Sequence, residues 1–557
     1  MKKYVMLLIL LLCICVSGCR ASEGNSPEAT TSAGTTLTEK DSDEDTTVSE
    51  PDATTTVEEA TSTSEEMTEA TGTSEEMTEA ESTSEEMTEA VRNETVIVIE
   101  AENAELYGGL TVEDIDGFSG GKGVGRFSDN GQYIEFEIDI AESGVYNLIF
   151  SGKGIGSDKD NDIYVDGNKA GYVKHLNEKL SDSTVASVTL DKGIHKVALK
   201  PSWGWIYLDK MTVNAAQGIP DGIYNVSPEL INPNASDEAK ALYRFLCDMY
   251  GEKILSGQVC DYGVKGSEFQ AIYAETGKFP AVLGLDMMGY SLARVAKGDR
   301  GRSVEVAIDF CNNQGGIVAY CWHWNAPNEY LKAGKDANGN PRWWGGFYTA
   351  NTDFDIEKVM NGDDPKGKAL LDKDIEEIAK QLNRLDDAGV PVLWRPLHEA
   401  SGGWFWWGAK GAEAYKKLWI YLYEQLTYIY GCDNLIWVYN GQSAEWYPGD
   451  EYVDIIGEDI YADKRNYYPQ TSKFAEASGY SKQNKIIALT ENGVLFDVDD
   501  AFAANSKWAW FNTWCGDFTV KNSKYNEEYT DKEMLKKVYG SDKVLTLDEL
   551  PDYRNYE

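Results

Sequence analysis

"PVLWRPLHE", Pro391 to Glu399, holds the key to how the larger part of this chain folds. Val392, Leu393 and Trp394 make an unbroken apolar run, the pattern of a strand buried on both faces in a parallel sheet. The run then turns polar, with Arg395, His398 and Glu399 following in quick succession. Before it, "DKDIEEIAKQLNRLDDAG" carries apolar residues at helical spacing, and after it "GAEAYKKLWIYLYEQLTYIYG" does the same.

On either side of this stretch the alternation repeats. "ILSGQ" (from Ile254), "AVLGLD" (Ala281) and "GIVAYCWH" (Gly316) precede it. "NLIWVYNG" (Asn434), "DIIGEDIY" (Asp454), "KIIALTENG" (Lys485) and "WAWFNTW" (Trp508) follow. With the opening run these make eight strands separated by helical stretches, which predicts a (β/α)8 TIM barrel over residues 217–557. An open doubly wound sheet is the alternative. It usually brings a Gly-rich phosphate loop after its first strand, and "SGQVCDYG" is not one.

Residues 96–216 have another character. "YIEFEIDI" and "DIYVDG" alternate apolar and polar residues, "GVYNLIFSG" and "IHKVALKP" are β-rich, and Gly and Asp turns separate them. This predicts a β-sandwich of jelly-roll type. Residues 19–95 are rich in Thr, Ser, Glu and Ala, with "TSTSEEMTEA" recurring as "TGTSEEMTEA" and "ESTSEEMTEA". Such units bury too little apolar surface to offset the entropy of ordering, so a disordered tether is expected. Residues 1–18 read as a signal peptide, with Lys2 and Lys3 ahead of an apolar run that ends in Val16-Ser17-Gly18-Cys19. That ending resembles a bacterial lipoprotein signal, which implies lipid on Cys19 and a chain anchored to the membrane, facing outside; a monomer is expected. A formal net charge of -42 argues against nucleic acid as a partner. Six cysteines, from Cys247 to Cys515, lie widely spaced within residues 217–557, and their pattern reveals neither a pairing nor a zinc site.

In a barrel, function sits at the C-terminal ends of the strands. Gln258, Asp286, His323, Glu399, Tyr461, Glu491, Trp510 and Trp514 are expected there. Glu399 and Glu491 follow the fourth and seventh runs, which places them across the mouth from one another. Two carboxyl groups flanking a pocket suit glycoside hydrolysis: one gives a proton to the leaving oxygen and the other attacks the anomeric carbon. For a retaining pair the expected separation is about 5–5.5 Å. Trp404, Trp406 and Trp407 are expected to stack on sugar faces, and Tyr461 to hydrogen-bond the nucleophile. His398-Glu399 is not H-E-x-x-H, so a catalytic metal is not expected.

"ILSGQ", "AYCWHWNAP", "WRPLHEASGGWFWWG", "DIIGEDIYAD" and "ALTENGV" together resemble glycoside hydrolase family 26, from about Pro220 to the C-terminus. The resemblance implies a retaining endo-β-1,4-mannanase that needs no catalytic cofactor. Glu399 matches the acid/base and Glu491 the nucleophile. His323, His398, Trp404 and Tyr461 match residues lining the sugar subsites, and Trp514 matches one near the cleavage point. Lichenases and β-1,3-xylanases belong to the same family and are the alternatives within it. A non-catalytic carbohydrate-binding lipoprotein is the alternative outside it, against which the two glutamates speak.

"IEAENAELYGG" and "PSWGWIYLDKMTV" resemble a family-35 carbohydrate-binding module. This implies a structural Ca²⁺ on Glu100, Glu102 and Asp209, and an oxygen-only ligand set suits that ion. Trp203 and Trp205 lie two apart, which on one strand gives them a shared face, as a sugar platform or a core pair would have.

Overall fold

The computed structural model describes residues 96–202, 204–216 and 218–556. Cys19, the repeats and Trp203 lie outside them.

The first described part is a sandwich of antiparallel strands: β1 (Ile97–Glu100), β2 (Glu105–Tyr107), β3 (Thr111–Asp114), β4 (Lys122–Gly125), β5 (Tyr133–Ile140) and β6 (Gly144–Gly154). It continues with β7 (Lys159–Val165), β8 (Asn168–His175), β9 (Ser181–Leu190), β10 (Gly193–Pro201) and β11 (Ile206–Ala215). One sheet runs β3-β4-β11-β6-β9 with β1 also on β11, and the other runs β2-β5-β10-β7-β8. The alternation seen in "YIEFEIDI" is the alternation of burial: Ile134, Phe136, Ile138 and Ile140 face the core. They meet Leu148, Phe150, Met211 and Val213 there. The first and last strands pair, with Glu100 opposite Lys210.

The second part is a closed barrel of eight parallel strands. They are β12 (Gly257–Val259), β13 (Val282–Asp286), β14 (Ile317–Cys321), β15 (Val392–Arg395), β16 (Leu435–Tyr439), β17 (Ile455–Ile460), β18 (Ile486–Asn492) and β19 (Phe511–Thr513). All eight predicted runs supply a strand. The helix before β15, Pro365–Asp386, starts with proline in its first turn and an Asp364 carboxylate capping the Gly367 N–H. The helix after it, Ala412–Glu424, relaxes into a π-turn over Gln425–Ile429.

The first run differs in detail from the expectation. Ile254 and Leu255 leave the barrel and pair with Val544 and Leu545, so the barrel strand begins only at Gly257. Trp510 is also not at the mouth. It precedes β19 and is buried in the core, because the strand it was assigned to starts one residue later. Trp406 and Trp407 correct the reading of the aromatic wall: both are fully buried, so neither is open to a sugar. The Trp406 indole N–H donates to the Trp324 carbonyl at 2.6 Å, and that of Trp407 to the His398 carbonyl at 2.8 Å. Buried tryptophan needs a partner for its N–H, and both rings find one in the backbone.

Candidate active site

The strand that opens the site stops before its glutamate. β15 ends at Arg395, and Leu397 (φ 55°) and Glu399 (φ 52°) adopt left-handed backbone. That conformation is unfavourable for residues other than glycine, so two in three positions mark a loop held by its surroundings. What holds it is visible. The Glu399 N–H donates to the Asn440 carbonyl at 2.7 Å, and the Trp407 indole fixes the His398 carbonyl.

Glu399 and Glu491 do meet. One carboxylate oxygen from each of Glu399, Asp459 and Glu491 lies within 4.8 Å of the other two. Asp459 and Glu491 are direct neighbours across β17 and β18, which explains their approach. Three buried carboxyl groups this close cannot all stay ionised without compensation. Arg395 supplies it. Its guanidinium donates to Asp459 Oδ2 at 2.7 Å, to Asn440 Oδ1 at 2.9 Å and to Glu491 Oε1. Burial works against the Arg395 charge, but Asp459 and Glu491 more than offset it.

The two glutamates have different partners. Glu491 lies between Arg395 and Tyr461, whose hydroxyl donates to Oε2 at 2.7 Å. These donors engage both of its oxygens and fix the orientation of the carboxylate. Glu399 has the Trp404 indole N–H on Oε2 at 2.9 Å. Burial first, then the charges of Asp459 and Glu491, push its carboxyl well above the ordinary carboxylate range. Burial pushes Asp459 up to about 7, with Arg395 pulling against it and Glu491 adding to it. The site therefore holds one carboxyl group inclined to keep its proton beside another tied to a cation.

The histidines form a chain alongside. His323 Nδ1 lies 2.7 Å from Asp286 Oδ2, and His323 Nε2 lies 3.3 Å from His398 Nε2. Burial, then His323 and Arg395, lower His398 well below the usual histidine value, so it is a neutral imidazole. His323 thus stands between Asp286 on its Nδ1 side and His398 on its Nε2 side. Trp514 completes this side, its ring centroid 6.0 Å from that of His323. Trp404 is the half-buried member of the tryptophan cluster, the one with surface left for a sugar. Gln258 serves structure: it is buried, and Thr519 donates to its Oε1 at 3.1 Å.

Arg395 was noted ahead of Glu399 but given no role, and Asp459 and Asn440 were not singled out from the sequence. A signal existed for the two charges, since "VLWR" and "IIGED" each place one inside an apolar strand run, where it must be paired or useful. The partner across 64 residues of sequence could not be read from it.

In the sandwich, Glu100 and Asp209 converge on Ser119, whose hydroxyl lies 2.6 Å from Glu100 Oε2 and 2.8 Å from Asp209 Oδ1. The Ser119 N–H also donates to Asp209 Oδ1. Glu102 Oε2 is buried and has no hydrogen-bond partner. A buried carboxylate oxygen without a donor fits a cation ligand. Trp205 is 47% exposed, but it sits in left-handed backbone just before β11 rather than on a strand. The expected shared face with Trp203 on one strand therefore does not hold for Trp205.

Comparison with known proteins agrees with both domains. Residues 231–549 match the family model described as Glycosyl hydrolase family 26, and residues 97–216 match Carbohydrate binding module (family 35). A protein of Thermothelomyces thermophilus named "Mannan endo-1,4-beta-mannosidase" is 38% identical over 82% of this chain and 91% of its own length. Among solved structures, a Podospora anserina GH26-CBM35 beta-(1,4)-mannanase is 38% identical, covers 83% of this chain and 99% of its own, and superposes with a TM-score of 0.57. A ruminal GH26 endo-beta-1,4-mannanase is 30% identical over 82% of this chain and 98% of its own, with a TM-score of 0.58. With its barrel matched across its length and its two glutamates brought together at the mouth, the chain belongs to glycosyl hydrolase family 26.

Proposed function

We propose that this chain is a retaining endo-β-1,4-mannanase. The observation that carries the mechanism is the approach of Glu399 and Glu491 to within 4.8 Å, oxygen to oxygen. An inverting pair stands about 6.5–9.5 Å apart so that a water can attack from the far side of the sugar, and this pair is closer than that. In the first step the Glu491 carboxylate attacks the anomeric carbon while Glu399 gives its proton to the departing glycosidic oxygen. A glycosyl ester on Glu491 results. Esterification removes the Glu491 charge, one of the causes that hold the Glu399 carboxyl up. Glu399, now ionised, can therefore serve as the general base that takes a proton from water. The water oxygen attacks the anomeric carbon, Glu491 leaves, and the sugar emerges with its original configuration.

Mannan as substrate is supported by the named activities of the relatives. The test is reducing-sugar release by the purified chain from β-mannan, mixed-linkage β-glucan and β-1,3-xylan, with NMR of the first-formed anomer. Preference for mannan with retention supports the reading. Preference for either other glycan, or an inverted product, overturns it.

The module is proposed to hold a structural Ca²⁺ on Glu100, Glu102 and Asp209, where the ion would neutralise the orphaned Glu102 oxygen. Attachment to the outer face of a membrane through lipidated Cys19 is proposed from the sequence alone. The relatives include a fungal protein, so membership of the family lends this no support. Mass spectrometry of the mature N-terminus decides it: a diacylglyceryl group on Cys19 supports the anchor, and a chain starting elsewhere overturns it.

A further inference from the structure

A cavity of about 680 Å³ lies between the sandwich and the barrel, within the range of about 300–1,000 Å³ typical of small-molecule sites. One wall is formed by β8 and β9, which present Tyr172, Lys174 and Ala186 to it. The other is formed by the segment that follows β17, including Tyr461 and Asp463, and by the helix Thr471–Ser478. The walls are fastened to each other at several points. Asn466 Nδ2 donates to the Lys169 carbonyl at 2.9 Å, and the Lys169 ammonium lies 3.8 Å from Asp463 and 3.2 Å from Asp162.

Tyr461 belongs to two spaces at once. It lines the cavity, and its hydroxyl donates to Glu491. The space between the domains therefore begins at the immediate neighbour of the nucleophile. Its lining also suits a polyol. Lys174, Gln470 and Ser472 offer amine, amide and hydroxyl groups, while Tyr172, 54% exposed, offers a ring to the face of a sugar. A closed packing surface between two domains would instead bury such a ring.

We propose that this cavity is a distal sugar subsite completed by the binding module. It seats residues of the polysaccharide chain that extend past Tyr461 from the bond being cleaved, with Tyr172 as their stacking platform. The module then acts in the catalytic event itself, by holding the same chain the barrel is cutting. This rests on the reading of the chain as a β-glycan hydrolase.

The experiment measures kcat/KM on oligosaccharides of increasing length, from trimer to octamer, of whichever β-glycan the native full-length chain hydrolyses. Tyr172→Ala is expected to lower kcat/KM about three- to tenfold on the long members and to leave the short ones unchanged. Tyr172→Phe, which keeps the ring, should retain the native values. Ala186→Trp, which fills the cavity from the other strand, should reproduce the long-chain loss and guards against misfolding at Tyr172. Native values at every length for both Tyr172→Ala and Ala186→Trp would overturn the proposal. So would an equal fall at every length, which would mean an effect through domain packing. A native chain that hydrolyses no β-glycan would overturn the hydrolase reading and this subsite with it. An active native chain with no length-dependent loss in the variants would overturn the subsite alone.

Discussion

Acidic residues are gathered differently in the two domains of this protein. At the barrel mouth Glu399, Asp459 and Glu491 gather beside Arg395, whose guanidinium reaches two of them. In the sandwich Glu100 and Asp209 share the Ser119 hydroxyl, Asp209 alone also accepts from the Ser119 N–H, and a Glu102 oxygen is left with no donor. Similar groups thus reach different ends. In the barrel the counter-charge is built into the chain and covers two of three acids, so the third keeps a proton. In the sandwich the Lys210 ammonium lies 3.9 Å from Asp209, while the buried Glu102 oxygen has no hydrogen-bond donor.

The largest effect on this contrast is expected at the nucleophile. Glu491→Ala should lower kcat/KM by about 10⁴-fold or more on every substrate, with the melting temperature measured to exclude unfolding. Loss of less than about tenfold would remove Glu491 from the chemistry. Trp404 comes next, since it offers a half-buried ring and donates a hydrogen bond to Glu399. Trp404→Ala should cost about 1–3 kcal/mol in kcat/KM, and Trp404→Phe should recover the stacking part only.

A smaller effect tests the electrostatics. Asp459 helps hold the Glu399 proton. Asp459→Asn should therefore move the alkaline limb of the kcat/KM profile toward acid, because the carboxyl that must be protonated lets go earlier. An unmoved limb would mean that burial alone sets the Glu399 proton. The same raised carboxyl makes a stability statement. The folded chain holds a proton that the unfolded chain releases near the ordinary glutamate value, so this stability is full at low pH and lost as pH rises through the folded value. Glu399→Gln should flatten that fall in a series of thermal melts.

The gentlest test concerns the sandwich. Ca²⁺ should raise the melting temperature of the full chain by several degrees over EDTA, and Glu102→Gln should abolish most of the difference. Turnover of short oligosaccharides should not change with the ion. Equal melting with and without Ca²⁺ would leave the orphaned oxygen without its cation.

Much of this was legible in the sequence, for identifiable reasons. Parallel strands covered on both faces read as apolar runs, so all eight barrel strands were visible. Glu399 and Glu491 stood out as charges after such runs. Trp406 and Trp407 were misplaced because a tryptophan's position in the sequence does not say which way its ring turns, and Trp510 because its strand starts one residue after it. Arg395 and Asp459 were passed over because an ion pair between strands depends on barrel closure and register, which no local pattern encodes. The left-handed Leu397 and Glu399 carry no glycine to announce them, and their loop is shaped by contacts to Asn440 and Trp407.

Whether Glu399 gives the proton and Glu491 takes the sugar is settled by azide and a β-aryl glycoside whose leaving group needs no proton. With Glu399→Ala, the sugar should still pass to Glu491, and azide should then replace the water that Glu399 can no longer activate. Faster turnover with azide is expected, with a β-glycosyl azide as product, from two inversions at one carbon. An α-glycosyl azide from Glu399→Ala, or no response to azide together with equal losses on activated and natural substrates, would contradict these assignments.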